Sequence, residues 1–181
     1  MKARPSHLRV YDASTPAPAP DVSDIEGLFR AHSGYVATIA WKLLGRTDEI
    51  DDLVQDVFLQ ALTGLRELRQ PEAIRGWLAV VTVRMARRKL RRRRMWAVLG
   101  LDTPADCDAV ALPQASPHDR ALFAQVYATL DALPVNERVA WLLRHAAGEQ
   151  HERIASLCGC SVATVKRRIA TAQRVLEKRF G

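Results

Sequence analysis

The chain has 181 residues, enough for one large domain or two small ones, and carries 27 Lys and Arg against 20 Asp and Glu, a formal charge of +7. That excess suits a polyanionic partner without choosing between nucleic acid and an acidic membrane surface. No stretch approaches the roughly 20 apolar residues that span a bilayer, Met1 to Val10 lacks the apolar block of a secretory signal, and Cys107, Cys158 and Cys160 cannot all pair, so a reducing cytoplasm is the expected location and no membrane partner is expected.

Residues 1–22 contain Ser-Thr-Pro-Ala-Pro-Ala-Pro, whose prolines remove backbone donors and hold the chain extended; a disordered tail is expected. Order is predicted from Ser23, which has capping-box spacing to Glu26, with Ile25, Leu28 and Phe29 as the apolar stripe. Ser33-Gly34 reads as a break, after which Val36, Ile39, Ala40, Leu43 and Leu44 form a second helix stopped by Gly45. From Glu49 to about Thr63, apolar residues at Ile50, Leu53, Val54, Val57, Phe58 and Ala61 give helical period, with Asp51, Asp52, Gln55, Asp56 and Gln60 opposite. Pro71 suits the first position of a fourth helix that turns Ile74, Trp77, Leu78, Val81 and Met85 inward and ends in the basic run Arg87 to Arg94. These four helices, within 23–95, are expected to share one core.

Residues 96–116 contain no Lys or Arg but several Asp and Pro, the composition of a flexible acidic linker. The second bundle, 117–181, opens with Ser116 as N-cap, Pro117 in the first turn and acidic Asp119 in the third position. Leu122, Val126, Leu130 and Leu133 are predicted inward, followed by a helix from Pro134 with Val135, Val139, Leu142, Leu143 and Ala146. A short helix holds Ile154 and Leu157, Gly159 makes a turn, and Ser161 caps a last helix that buries Val162, Val165, Ile169, Ala172, Leu176 and Phe180. No strand pattern occurs, so the expected fold is all-α: two helical bundles joined by the linker, the second containing a helix-turn-helix.

In a helix-turn-helix the second helix shows its polar N-terminal face to the bases while its back packs on the scaffold. Val162, Val165 and Ile169 supply the back; Ser161, Thr164, Lys166, Arg167, Arg168 and Thr171 lie away from it. A Lys-Arg-Arg run is more commonly a solvated face, and alone the two readings balance; the cap and the glycine turn fall where the motif needs them. Leu133-Pro134, Arg138, Val139, Leu143, Gly148, Ile154-Ala155, Leu157, Ser161 and Thr164-Val165-Lys166-Arg167-Arg168 resemble region four of the sigma factors, over about fifty residues. The resemblance implies that this helix reads the upstream promoter element. Glu149, where the family carries an apolar residue, and Arg153, where it carries an acidic one, depart from the pattern.

Asp51-Asp52-Leu53-Val54-Gln55-Asp56-Val57-Phe58-Leu59 resembles region two of the same family, specifically the extracytoplasmic-function type. Asp52, Gln55, Asp56 and Leu59 recur at helical spacing on one face. By resemblance, Asp51, Asp52, Gln55, Asp56 and Leu59 dock on the clamp helices of the largest subunit of core RNA polymerase. Alone, such a helix is more often an ordinary amphipathic one; the Arg75-Gly76-Trp77-Leu78 helix and arginine run that follow reverse that preference. Capture of single-stranded DNA needs a cationic track and a base pocket. Arg69, Arg75, Arg84, Arg87, Arg88 and Arg91 are the candidates for contact with the downstream element and its non-template strand, and the resemblance places the base pocket in the loop of residues 66–73. Arg84 and Arg88 stand where the family often has Asn and Asp.

Cys158 and Cys160 lack a second ligand pair for zinc, and no nucleophile-base pair or glycine-rich phosphate loop occurs. Neither a catalytic residue nor a metal or other cofactor is expected. The resemblance thus implies a non-enzymatic promoter-specificity subunit, monomeric when free, that partners core polymerase, duplex and single-stranded promoter DNA and, as is common in the family, an anti-sigma factor. The competing readings are a stand-alone helix-turn-helix regulator and a sigma-like decoy that occupies polymerase without opening promoters.

Overall fold

The computed structural model describes residues 25–64, 73–100 and 116–181. Among these residues every regular element is helical: α1 (Ile25–Leu44), α2 (Ile50–Gly64), α3 (Ile74–Val98), α4 (Pro117–Asp131), α5 (Val135–His145), α6 (His151–Cys158) and α7 (Val162–Phe180). None of them is long and apolar enough to cross a membrane. The expected tail, Ser23, most of the linker and the loop containing Arg69 lie outside the described residues.

The N-terminal half has three helices here rather than four, because Ser33-Gly34 does not break α1. A glycine inside a helix costs about 1 kcal/mol relative to alanine. Against that, Leu28 before it and Val36, Ile39, Ala40, Leu43 and Leu44 after it are buried in one core with α2 and α3, and each large apolar side chain so buried contributes about 1.5–3 kcal/mol. Packing outweighs propensity. In α2 the predicted stripe is the buried one, Ile50, Leu53, Val54, Val57, Phe58 and Ala61. Its end needs glycine for space: a Cβ on Gly64 would lie 2.6 Å from the Trp77 ring. Helix α3 buries Ile74, Leu78, Val81, Val83, Ala86 and Leu90 and runs on to Val98, past the expected boundary at Met95.

In the C-terminal half, Ser116 caps α4 in a reciprocal capping box with Asp119, as predicted. Leu122 and Phe180, expected inward, are 47% and 41% exposed. Both stand at helix ends, in the first turns of α4 and the last turn of α7, where the neighbouring residues are exposed as well. Helix α5 packs along α7 around Val139, Leu142, Leu143, Val165, Ala172 and Leu176.

The two halves are not apart. Helices α5 and α6 rest on α1 and α3, and one continuous set of buried side chains runs through both. Tyr127 of α4 lies against Gly45, whose φ of +68° ends α1 and where a Cβ would come within 2.3 Å of the ring. Arg138 of α5, 2% exposed, reaches the carboxy end of α1. A linker composition shows where a chain changes character, but it carries no information about whether the flanking bundles touch.

Candidate nucleic-acid interface

The acidic face of α2 is built by division of labour along one helix. Leu53, Val54, Val57 and Phe58 anchor it in the core, which turns Asp51, Asp52, Gln55 and Asp56 into solvent and leaves Leu59 55% exposed. The carboxylates form no salt bridge among the described residues. Two acidic residues in the first turn also suit the positive end of the helix. Leu62, one turn beyond Leu59 and exposed, lengthens the apolar end of this stripe. Its i+3 spacing from Leu59 places it on the same face of the helix.

Helix α3 splits its arginines. Arg75 is exposed at its start, with its guanidinium 4.4 Å from the centre of the Tyr35 ring. Beside it His32 is half-buried, and burial together with the Arg75 charge holds its pKa below the ordinary histidine value. Arg84, Arg88 and Arg91 are exposed at helical spacing. Arg87 instead turns to the C-terminal half, donating from Nη1 to the Cys158 carbonyl (3.0 Å) and from Nη2 to Asn136 Oδ1 (2.7 Å). Arg91 shares the Asn136 acceptor at 3.4 Å, and Arg94 donates to the Leu133 carbonyl at 2.6 Å. Arg69 lies outside the described residues.

Helices α6 and α7 supply a short helix, a tight turn and a longer helix. Gly159 adopts φ +63° and ψ +47° after α6, a left-handed geometry that favours glycine, and Cys160 N–H returns to the Ala155 carbonyl at 3.0 Å. Ser161 then caps α7, its Oγ accepting from the Thr164 amide at 3.2 Å and lying 2.9 Å from Thr164 Oγ1. Buried Val165 fixes the rotation of α7, which leaves Lys166 and Arg167 exposed and without a hydrogen bond or ion pair among the described residues. Arg168 folds back to Cys160 Sγ at 3.3 Å, and Thr171 accepts from Arg174 at 3.3 Å. Of the six expected positions, two hydroxyls hold the cap, two side chains are internally engaged and Lys166 and Arg167 face out.

Arg138 is a charged residue on the buried side of α5. It falls at i+3 from Val135 and i−4 from Leu142, so helical period already placed it on the buried stripe. Burial, with the nearby Arg93 charge, lowers its pKa to about 10.

Two family models match the chain: Sigma-70 region 2 over residues 28–95 and Sigma-70 region 4 over residues 123–174. Among curated relatives, the ECF RNA polymerase sigma factor SigE of Mycolicibacterium smegmatis is 30% identical over 176 residues, covering 95% of this chain and 66% of its own length. The ECF RNA polymerase sigma factor EcfG of Rhodopseudomonas palustris is 32% identical over 139 residues, 76% of this chain and 74% of that protein. In fold, the chain is similar to the sigma factor RpoE solved with the anti-sigma factor NepR from Bartonella quintana (TM-score 0.61, 20% identity, 86% of this chain and 96% of that one). It is also similar to CnrH solved with the cytosolic domain of CnrY (TM-score 0.56, 23% identity, 85% of each chain).

Proposed function

Because this chain belongs to the extracytoplasmic-function RNA polymerase sigma factors, we propose that it binds core polymerase through the α2 face and directs initiation by contacting promoter DNA through α3 and α7. The observation that carries this reading is the coexistence, in one chain, of an unpaired acidic face on α2 and unpaired cations on α7. A free DNA-binding regulator has no use for the first. A polymerase subunit needs both, since carboxylates cannot bind phosphates and arginines alone do not select a basic docking partner.

Residues 23–95 act as region two, with Asp51, Asp52, Gln55, Asp56 and Leu59 on the largest-subunit clamp helices and the exposed α3 arginines on the non-template strand. Residues 117–181 act as region four, with Lys166 and Arg167 as the principal contacts to the upstream duplex. The protein does no covalent chemistry, works in the cytoplasm and is open to control by an anti-sigma factor.

Run-off transcription with core polymerase tests the reading directly. Added to core, the protein starts transcripts from its promoter, and Asp52→Ala or Gln55→Ala weakens core association by several-fold, on the order of the 1 kcal/mol expected of a rim contact. Core association without transcripts identifies a decoy. No association, with tight binding of the isolated chain to a symmetric duplex site, identifies a stand-alone regulator.

A further inference from the structure

Cys158 and Cys160 take no part in the polymerase and DNA contacts proposed above, yet they stand on the two sides of the helix-turn-helix bend. Cys158 is the last residue of α6 and is buried; Cys160 directly precedes the Ser161 cap of α7 and is partly exposed. Both are free thiols. The residue between them fixes their separation. The distance between Cα atoms two residues apart depends on the dihedrals of the middle residue, and Gly159, at φ +63° and ψ +47°, is close to the mirror image of a helical residue. From the rise, turn and radius of a helix, such Cα atoms lie about 5.4 Å apart. That falls inside the roughly 4.4–6.8 Å that a disulfide spans.

Their surroundings give the two sulfurs different characters. Arg168 Nη1 donates to Cys160 Sγ at 3.3 Å. A cation in contact with a partly exposed sulfur stabilises the negative charge with which it attacks an electrophile. Arg87 reaches the same turn from α3, donating to the Cys158 carbonyl at 3.0 Å. Burial pushes the Cys158 thiol pKa up; the Arg87 and Arg168 charges oppose that shift and the neighbouring Cys160 adds to it. Cys158 is thus a protonated thiol shielded from solvent, while Cys160 can be reached from outside.

We propose that Cys160 and Cys158 form a peroxide-oxidisable dithiol, with Cys160 as the attacking sulfur and Cys158 as the resolving one. The Cys160 thiolate attacks one oxygen of a hydroperoxide: an S–O bond forms, the O–O bond breaks, and the other oxygen leaves and takes up a proton. Cys158 then attacks the sulfenic sulfur. The S–S bond forms, the S–O bond breaks, and the hydroxyl leaves as water with the Cys158 proton. Two thiols are oxidised to one disulfide while the peroxide is reduced to an alcohol or water. A small-molecule thiol reverses the step by exchange, and in a reducing compartment such a disulfide is transient and serves as a sensor.

Ring closure takes Cys160 Sγ away from Arg168 and draws the residue before the α7 cap toward α6. In the dithiol form Cys160 N–H donates to the Ala155 carbonyl at 3.0 Å and Ser161 Oγ accepts from the Thr164 amide at 3.2 Å. Both bonds set the entry of α7, so oxidation displaces the helix that carries Lys166 and Arg167 and lowers affinity for the upstream duplex. That consequence, unlike the thiol chemistry, rests on the sigma-factor reading.

The test uses the full chain, both wild type and with Cys107→Ser, which removes the third thiol. Each is treated with near-stoichiometric hydrogen peroxide and mapped by mass spectrometry after alkylation. The expected result is that the peptide holding both cysteines loses two hydrogens and regains them with dithiothreitol. In Cys158→Ser, Cys160 stops at the sulfenic acid and is captured by dimedone; in Cys160→Ser, Cys158 stays unoxidised. Arg168→Met slows the oxidation by about 3- to 10-fold, with an unchanged circular dichroism spectrum. The oxidised factor, freed of peroxide, is then added to core polymerase and its promoter affinity measured. A several-fold loss that dithiothreitol restores, and that peroxide does not produce in Cys160→Ser, is expected. Absence of the disulfide, or equal reactivity of the two thiols, overturns the dithiol assignment. A disulfide that leaves promoter affinity unchanged overturns its control of DNA binding. If the reduced factor and core bind no promoter, the sigma-factor reading fails and the DNA consequence with it, while the mass measurement still decides the dithiol.

Discussion

On α7, Lys166 and Arg167 stand in solvent with no partner among the described residues, whereas on α3 Arg87, Arg93 and Arg94 reach back to α4, α5 and α6. Both helices read in the sequence as runs of positive charge. The difference comes from what lies beside them. Helix α7 is fixed by Val165, Ala172 and Leu176 on one side only, so its remaining circumference faces out. Helix α3 is flanked by both halves of the molecule, and its arginines are divided by rotation into those that bridge the halves and those, Arg84 and Arg88, that remain exposed. A basic run is therefore not one surface, and the two helices call for different tests.

The largest effect is expected on α7. Replacing Lys166 and Arg167 together with alanine should reduce affinity for the upstream duplex by about 30-fold or more and flatten its salt dependence by roughly one to two phosphate contacts' worth of slope, measured by titration across salt concentrations. Folding stability should not change by more than about 0.5 kcal/mol, since neither side chain has an intramolecular partner. A duplex affinity that survives the double substitution would mean that the exposed cations of α7 are only a solvated face.

On α3 the comparison is between neighbours. Arg87→Ala should cost about 1.5–3 kcal/mol in chemical denaturation, because it removes charge-assisted hydrogen bonds to Cys158 and Asn136. Arg88→Ala, one position on and exposed, should leave stability within about 0.5 kcal/mol of wild type while lowering affinity for single-stranded non-template DNA. Equal stability losses would erase the distinction between bridging and free arginines.

The helices themselves were legible in the sequence because burial follows period: the α2 stripe was predicted residue by residue, and the caps at Ser116 and Ser161 follow from side-chain chemistry that acts within three residues. The continuity of α1 through Ser33-Gly34 was not legible, since it depends on the α2 and α3 surfaces that reward it. The contact between the halves was legible least. It is made by Tyr127 and Arg138 against carbonyls far away in sequence, and a backbone carbonyl looks the same whatever residue carries it. For the surfaces, spacing identified which residues share a face, but whether an arginine on that face is free depends on its tertiary neighbours, as Arg87 and Arg88 illustrate.

A smaller effect tests the start of α7. Ser161→Ala removes the acceptor for the Thr164 amide and should cost about 1 kcal/mol of stability. Amide exchange should quicken first in the opening turn of α7, and duplex affinity should fall only modestly, because Lys166 and Arg167 lie beyond that turn. A loss as large as that from the Lys166 and Arg167 changes would instead make the Ser161 hydroxyl a DNA contact in its own right.

The smallest effect is a pH dependence that falls unevenly on the two halves. His32, at the start of the N-terminal core, and His145, stacked 4.6 Å from Trp141 on α5, both have pKa values held below the ordinary 6.5, first by burial and then by Arg75 and Arg144 respectively. A lowered histidine pKa means that the folded state binds fewer protons than the unfolded state near that pH, so stability rises with pH there. Each contribution is complete above the unfolded value of 6.5 and is lost as pH falls below it. The Tm should therefore rise as pH approaches 6.5 from below and flatten above it. Asp48 is held below 3.8 chiefly by its hydrogen bond from Arg46, and Asp119 by that from Ser116, so their losses begin only at far lower pH and do not mask the histidines. His32→Gln should reduce the rise by removing the N-terminal contribution, and His145→Gln should do the same for the other half. If the halves melt as one unit through their shared seam, either substitution shifts a single transition. Two transitions, each moved by only one of the substitutions, would mean that the contact between α1, α4 and α5 does not couple their unfolding.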